Sequence, residues 1–167
     1  LPGIQKKFIK ECCRAGKPVI TATQMLESMT TSTSPTRAEI TDVANAVFDG
    51  TSAVMLSGES AAGMFPVETV QAMAKIVHQA EIDAEEVNQY KFLEVESDEK
   101  DIANAIGHAA CTTAKDIKAK AIIAVTTSGY TAEMMSKYKP VEKIIAATPV
   151  EKTYHQQSLT RGVFPVL

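Results

Sequence analysis

Two short, largely apolar runs, Val19-Ile20-Thr21-Ala22 and Ala53-Val54-Met55-Leu56, flank a segment that reads as one capped helix. A run of this length without polar alternation reads as a strand covered on both faces. Strand, helix and strand at this spacing close as a right-handed parallel crossover with helices over the sheet. Each run also breaks off into hydroxyl, amide and carboxylate side chains. Thr23-Gln24-Met25-Leu26-Glu27-Ser28 comes after the first, and Ser57-Gly58-Glu59-Ser60 after the second. Strands that run parallel deliver such tips to the same edge, so the two polar tips are expected at one mouth.

The connecting helix carries its own start and stop. Thr36-Arg37-Ala38-Glu39 has the form of a capping box, in which the Thr36 hydroxyl takes the Glu39 amide and the Glu39 carboxylate reaches back. Ile40, Val43, Ala44, Val47 and Phe48 recur on one face, and Asp49-Gly50 ends the pattern. Before it, residues 4–15 read as a helix with Ile4, Phe8 and Ile9 on one side, closed by Gly16, and Thr30 to Pro35 is a loop. After the second strand, Pro66 suits the first turn of a long helix bearing Val67, Val70, Met73, Ala74 and Val77, running to about Asp83. From Glu85 to Asp101 the composition turns acidic and irregular around Tyr90, Phe92, Leu93 and Val95, which places a domain boundary there. Alternation then resumes. A helix bears Ile102, Ala105, Ile106 and Ala109, followed by a strand Ala121 to Val125, a helix Glu133 to Tyr138, a strand Ile144 to Ala147, a helix Lys152 to Gln157 and a strand-like Val163 to Leu167. This half predicts a three-layer α/β domain whose last strand reaches the end of the chain, so an incomplete sheet is expected.

With 167 residues and 45% apolar content the chain can bury a core. Its net charge of −3 is spread without a basic face, which favours neither nucleic acid nor a membrane as partner. No apolar run approaches the roughly 18 residues of a membrane span, and the N-terminus lacks signal-peptide order, so a cytoplasmic location is expected. Cys12, Cys13 and Cys111 have no metal-ligand spacing and read as free thiols. His78, His108 and His155 stand apart from any ligand pattern and read as surface or helix-packing residues.

Thr23 is the first candidate site residue. A hydroxyl at a parallel strand end can hold a substrate or pass a proton, but it is too weak an acid to work alone, and a threonine that merely caps backbone is the alternative. Glu27, Ser57 and Glu59 face the same choice; paired carboxylates could hold magnesium, yet their spacing does not require it. The turn Thr126-Thr127-Ser128-Gly129-Tyr130-Thr131 offers four threonine and serine hydroxyls and the amides of a helix N-terminus, with Gly129 permitting close approach. That is chemistry for a phosphate, though many such turns are rich in Ser and Thr only to cap the helix.

Four segments then carry a resemblance. Ala22 to Met29, Pro35 to Glu39, Asp42 to Gly50 and Val54 to Glu59 are similar, in order and spacing, to successive motifs of the pyruvate kinases. The resemblance implies a partial TIM barrel, its last two β/α units, over residues 1–85. A linker over 86–100 and most of a C-terminal α/β regulatory domain over 101–167 would come next, both domains being truncated. It implies transfer of the phosphoryl group of phosphoenolpyruvate to ADP, giving pyruvate and ATP, with Mg2+ and K+ as cofactors and a homotetramer when complete. Thr23 matches the threonine that contacts substrate where the enolpyruvate carbon is protonated, and Ser57 and Glu59 match residues near that pocket. Thr126, Thr127, Ser128, Gly129 and Thr131 match the loop that grips a phosphate of an activating sugar phosphate, and Tyr130 leaves the effector open. The phosphoryl-stabilising lysine and the ligands for magnesium and potassium belong to earlier barrel strands, so these residues alone are expected to be inactive. The alternative is a regulatory fragment that binds a sugar phosphate and does no chemistry.

Overall fold

A computed structural model describes residues 2–87 and 102–167. They divide into two compact units, one of residues 2–11 and 18–87 and the other of residues 12–17 and 102–167. The expected linker, with its apolar group at 90–95, lies from residue 88 onward outside the described residues.

The first unit holds α1 (Pro2–Arg14) up to residue 11, followed by β1 (Ile20–Ala22), a 3-10 turn (Glu27–Thr30), α2 (Arg37–Asp49), β2 (Ala53–Met55), the short α3 (Gly58–Ala61) and α4 (Pro66–Glu86). The strands pair in parallel, with Ile20 opposite Ala53 and Ala22 opposite Met55, as the strand, helix and strand spacing requires. The capping box at α2 is present in both directions, and Gly50 closes the helix in the left-handed conformation. Val43, Ala46 and Met73 of the helices pack with Met25, Leu26 and Met29 from the segment after β1 into the core of this unit.

Sequence periodicity placed α4 partly in phase: Met73 is buried and Val77 packs against the core as expected, but the N-terminal positions are not. Its buried stripe is Thr69, Met73, Ala80 and Ala84, while Val67 and Val70 are exposed. Thr69 can be buried because its hydroxyl donates to the Phe65 carbonyl one turn back. The helix also continues past Asp83 to Glu86. In α1 only Ile9 of the expected apolar face is buried; Ile4 and Phe8 are exposed. Nor are the strands covered on both faces among the described residues: Ile20 is 54% and Met55 44% exposed.

The second unit contains α5 (Ile102–Asp116), β3 (Ala121–Val125), α6 (Tyr130–Lys137), β4 (Lys143–Ala147), α7 (Glu151–Gln157) and β5 (Val163–Val166). Its sheet is parallel in the order β3, β4, β5. Pro165, which cannot donate to a ladder, sits on the edge strand β5. Ile122, Ala124, Ile144, Ala146 and Val163 cover one face of the sheet and pack against Cys111, Ala114, Ala132 and Met135. Burial pushes the Cys111 thiol up to about 12 and raises that of Cys13, so both are inert structural thiols.

The expected face of α5 is the exposed one. Ile102 and Ile106 stand out, whereas Asn104, Gly107, Cys111 and Ala114 are buried. A Cβ at Gly107 would lie 3.3 Å from the Met134 backbone, so α5 and α6 meet along their small side chains. Burial of Asn104 is offset by its accepting from Lys137 Nζ at 3.1 Å and from the Tyr138 hydroxyl at 2.7 Å.

Candidate functional site

Because Ala22 lies opposite Met55, Thr23 and Ser57 leave the sheet at the same edge. Both are exposed or partly so, and Gln24 and Glu27 are exposed. The segment after Thr23 is not a simple polar tip. Met25, Leu26 and Met29 are 5%, 0% and 1% exposed, so the segment is pinned by apolar anchors and turns its polar residues outward. Thr23 has φ +81° and Gln24 φ +55°. Two successive non-glycine residues in the left-handed region, the first β-branched, are strained, and such strain gathers at functional sites.

Carboxylates hold this strained segment. Glu59, 1% exposed, accepts from the Leu26 amide at 3.3 Å through Oε1 and from the Ser57 amide at 2.7 Å through Oε2. Burial alone would raise its pKa, but the amides of Ser57, Glu59, Leu26 and Met25 outweigh it and hold the carboxyl below the ordinary range. Glu39 does more than cap α2. Its carboxylate also accepts from the Ser28 amide at 2.7 Å and the Ser28 hydroxyl at 2.5 Å. Burial opposes ionisation here too, yet the donors on Ser28 and Thr36 lower the pKa to about 2. The Glu39 to Ser28 link was not readable from sequence, because a capping box already accounts for Glu39.

The hydroxyl-rich turn lies between β3 and α6. Thr126 is buried and its hydroxyl accepts from the Gly129 amide at 2.9 Å, so it shapes the turn. Ser128 Oγ accepts from the Tyr130 amide at 3.4 Å, and Thr153 on α7 donates to the Thr127 carbonyl at 2.7 Å. Thr127, Ser128 and Tyr130 are exposed, whereas Gly129 is buried with φ +87°. Sequence missed Thr153 and Gln157, which support the turn from a distant helix. Gln157, 1% exposed, lies against Gly129 and donates to Glu133 at 2.9 Å. Among the described residues no three His, Cys, Asp or Glu come together to hold a metal. No helix among these residues is long and apolar enough to cross a membrane.

Parallel strands whose polar C-terminal ends share one edge, with helices packed beside them, have the arrangement of β/α units. The chain belongs to the pyruvate kinase family: "Pyruvate kinase, barrel domain" matches residues 1–70 and "Pyruvate kinase, alpha/beta domain" matches residues 104–167. Pyruvate kinases of Clostridium acetobutylicum and Lactobacillus delbrueckii subsp. bulgaricus are 49% and 50% identical over all of this chain. The chain spans 35% and 28% of their lengths. The crystal structure of a pyruvate kinase from Cryptosporidium parvum, 44% identical, matches 98% of the chain with a TM-score of 0.92, over 33% of its own length.

Proposed function

We propose that this chain forms part of a pyruvate kinase, an enzyme of glycolysis in the cytoplasm that transfers the phosphoryl group of phosphoenolpyruvate to ADP, giving pyruvate and ATP. The observation that carries the proposal is Thr23, strained at the shared edge of two parallel strands in a chain of this family. In this reading its hydroxyl contacts substrate where the enolpyruvate carbon takes up a proton, and Ser57 and Glu59 serve the same pocket. Mg2+ and K+ would neutralise charge on the phosphates when bound, held by residues of the earlier barrel strands. The complete enzyme would be a homotetramer. Full-length protein containing this chain is expected to form pyruvate from phosphoenolpyruvate, ADP, Mg2+ and K+, and the 167-residue chain alone is expected to form none. Turnover by the chain alone would overturn the assignment of charge stabilisation to residues outside it.

The turn at 126–131 supports a second role, binding a phosphate of a sugar-phosphate effector such as fructose 1,6-bisphosphate. Thr127 and Ser128 are exposed beside the N-terminus of α6. Ser128→Ala should weaken activation of the full-length enzyme by fructose 1,6-bisphosphate about tenfold, by the loss of one charge-assisted hydrogen bond. An unchanged activation constant would leave Ser128 as a helix cap.

A further inference from the structure

We propose that Glu59 is a positioning residue whose carboxylate clamps the segment after β1 to the segment after β2 and so holds Thr23 in its left-handed conformation. This rests on the reading of Thr23 as the substrate-contacting hydroxyl.

Strained backbone persists only where its surroundings over-determine it. Here the restraints come from several directions. Glu59 takes the Leu26 amide with one oxygen and the Ser57 amide with the other. Met64 N donates to the Thr30 carbonyl at 2.8 Å, tying the far end of the same segment to the chain after β2. A Cβ at Gly63 would overlap the Glu59 carbonyl and approach the Thr30 backbone, so the two segments are in close contact. Glu39 fixes Ser28 from the helix side. Between these ties Leu26 and Met29 are sunk in the core, leaving Thr23 and Gln24 to absorb the turn. Glu59 is itself 1% exposed, with both oxygens engaged by backbone amides, so it acts on Thr23 through the backbone.

A carboxylate accepts at both oxygens, whereas a glutamine amide accepts at one and would point an N–H at a second N–H. In the full-length protein, Glu59→Gln is therefore expected to lower kcat about 100-fold, the scale of a small misplacement of a reacting group, with KM for phosphoenolpyruvate changed less than about threefold. The deciding measurement is a double-mutant cycle with Thr23→Ala, which is expected to cost a large factor in the native background and less than about threefold beside Glu59→Gln. Equal factors in both backgrounds, or an unchanged kcat for Glu59→Gln, would overturn the proposal. Hydrogen exchange supplies an arm independent of the chemistry: the Leu26 and Ser57 amides should exchange faster in Glu59→Gln. If Thr23→Ala alone leaves kcat unchanged, the role of the Thr23 hydroxyl fails and the exchange rates decide the clamp, unchanged rates overturning it. Should Glu59→Gln not fold, Glu59→Asp enters the same measurements. Its side chain is one methylene too short to reach both amides, so the same loss of coupling and the same faster exchange are expected, and additivity overturns the clamp.

Discussion

Gly129→Ala is expected to destabilise the second unit by about 3 kcal/mol, from a left-handed penalty of about 1–2 kcal/mol and an overpacking penalty of similar size. The first arises because Gly129 has φ +87°. The second arises because an added Cβ would overlap the amide of Gln157. That amide cannot simply swing away, since Gln157 is buried and its Nε2 holds Glu133 at 2.9 Å. Gly162→Ala isolates the two contributions: φ is +70° there but nothing lies within 4 Å of the new Cβ, so only the backbone penalty of about 1–2 kcal/mol is expected. Among the described residues the tyrosines, Tyr130, Tyr138 and Tyr154, all lie in the second unit, so tyrosine fluorescence during urea unfolding of the 167-residue chain reports on that unit. Equal losses for the two variants would show that Gln157 gives way. In the full-length protein, Gly129→Ala should also blunt the effector response, because the same overlap displaces the turn between Thr126 and Tyr130.

The turn illustrates what sequence could and could not convey. Strand β3, the order of elements and the glycine were legible, because local patterns encode them. The supports from Thr153 and Gln157 were not, since they arise from a helix more than twenty residues away. The same division explains the helices. The α2 capping box lies within four consecutive residues and was read correctly. The buried face of α5 was misread because apolarity pointed to Ile102 and Ile106, while the close approach to α6 selects small side chains at Gly107, Cys111 and Ala114. Size complementarity between two helices leaves no trace in a hydrophobic periodicity. At the strand ends, polarity located Thr23, Ser57 and Glu59 at one edge. It concealed that Met25, Leu26 and Met29 anchor the segment, and nothing in a Thr-Gln pair announces two left-handed residues.

Thr23→Ala in the full-length protein is expected to lower kcat about 100-fold or more, the range for loss of a positioned proton-transfer group, with little change in KM. The hydroxyl is proposed to act as the enolate takes up its proton, so its absence should be felt in the reaction step rather than in binding. Backbone geometry needs separate control, because Thr23 has φ +81° and alanine keeps a Cβ there. Thr23→Gly removes both the hydroxyl and the steric penalty and should raise stability by about 1 kcal/mol while losing as much kcat as Thr23→Ala. Thr23→Ser keeps the hydroxyl and should retain most of the activity. A glycine variant as active as the native enzyme would make the backbone conformation, not the hydroxyl, the contribution of this position. If all three variants change KM alone, the Thr23 hydroxyl binds substrate with equal strength before and during the reaction and takes no part in the proton transfer.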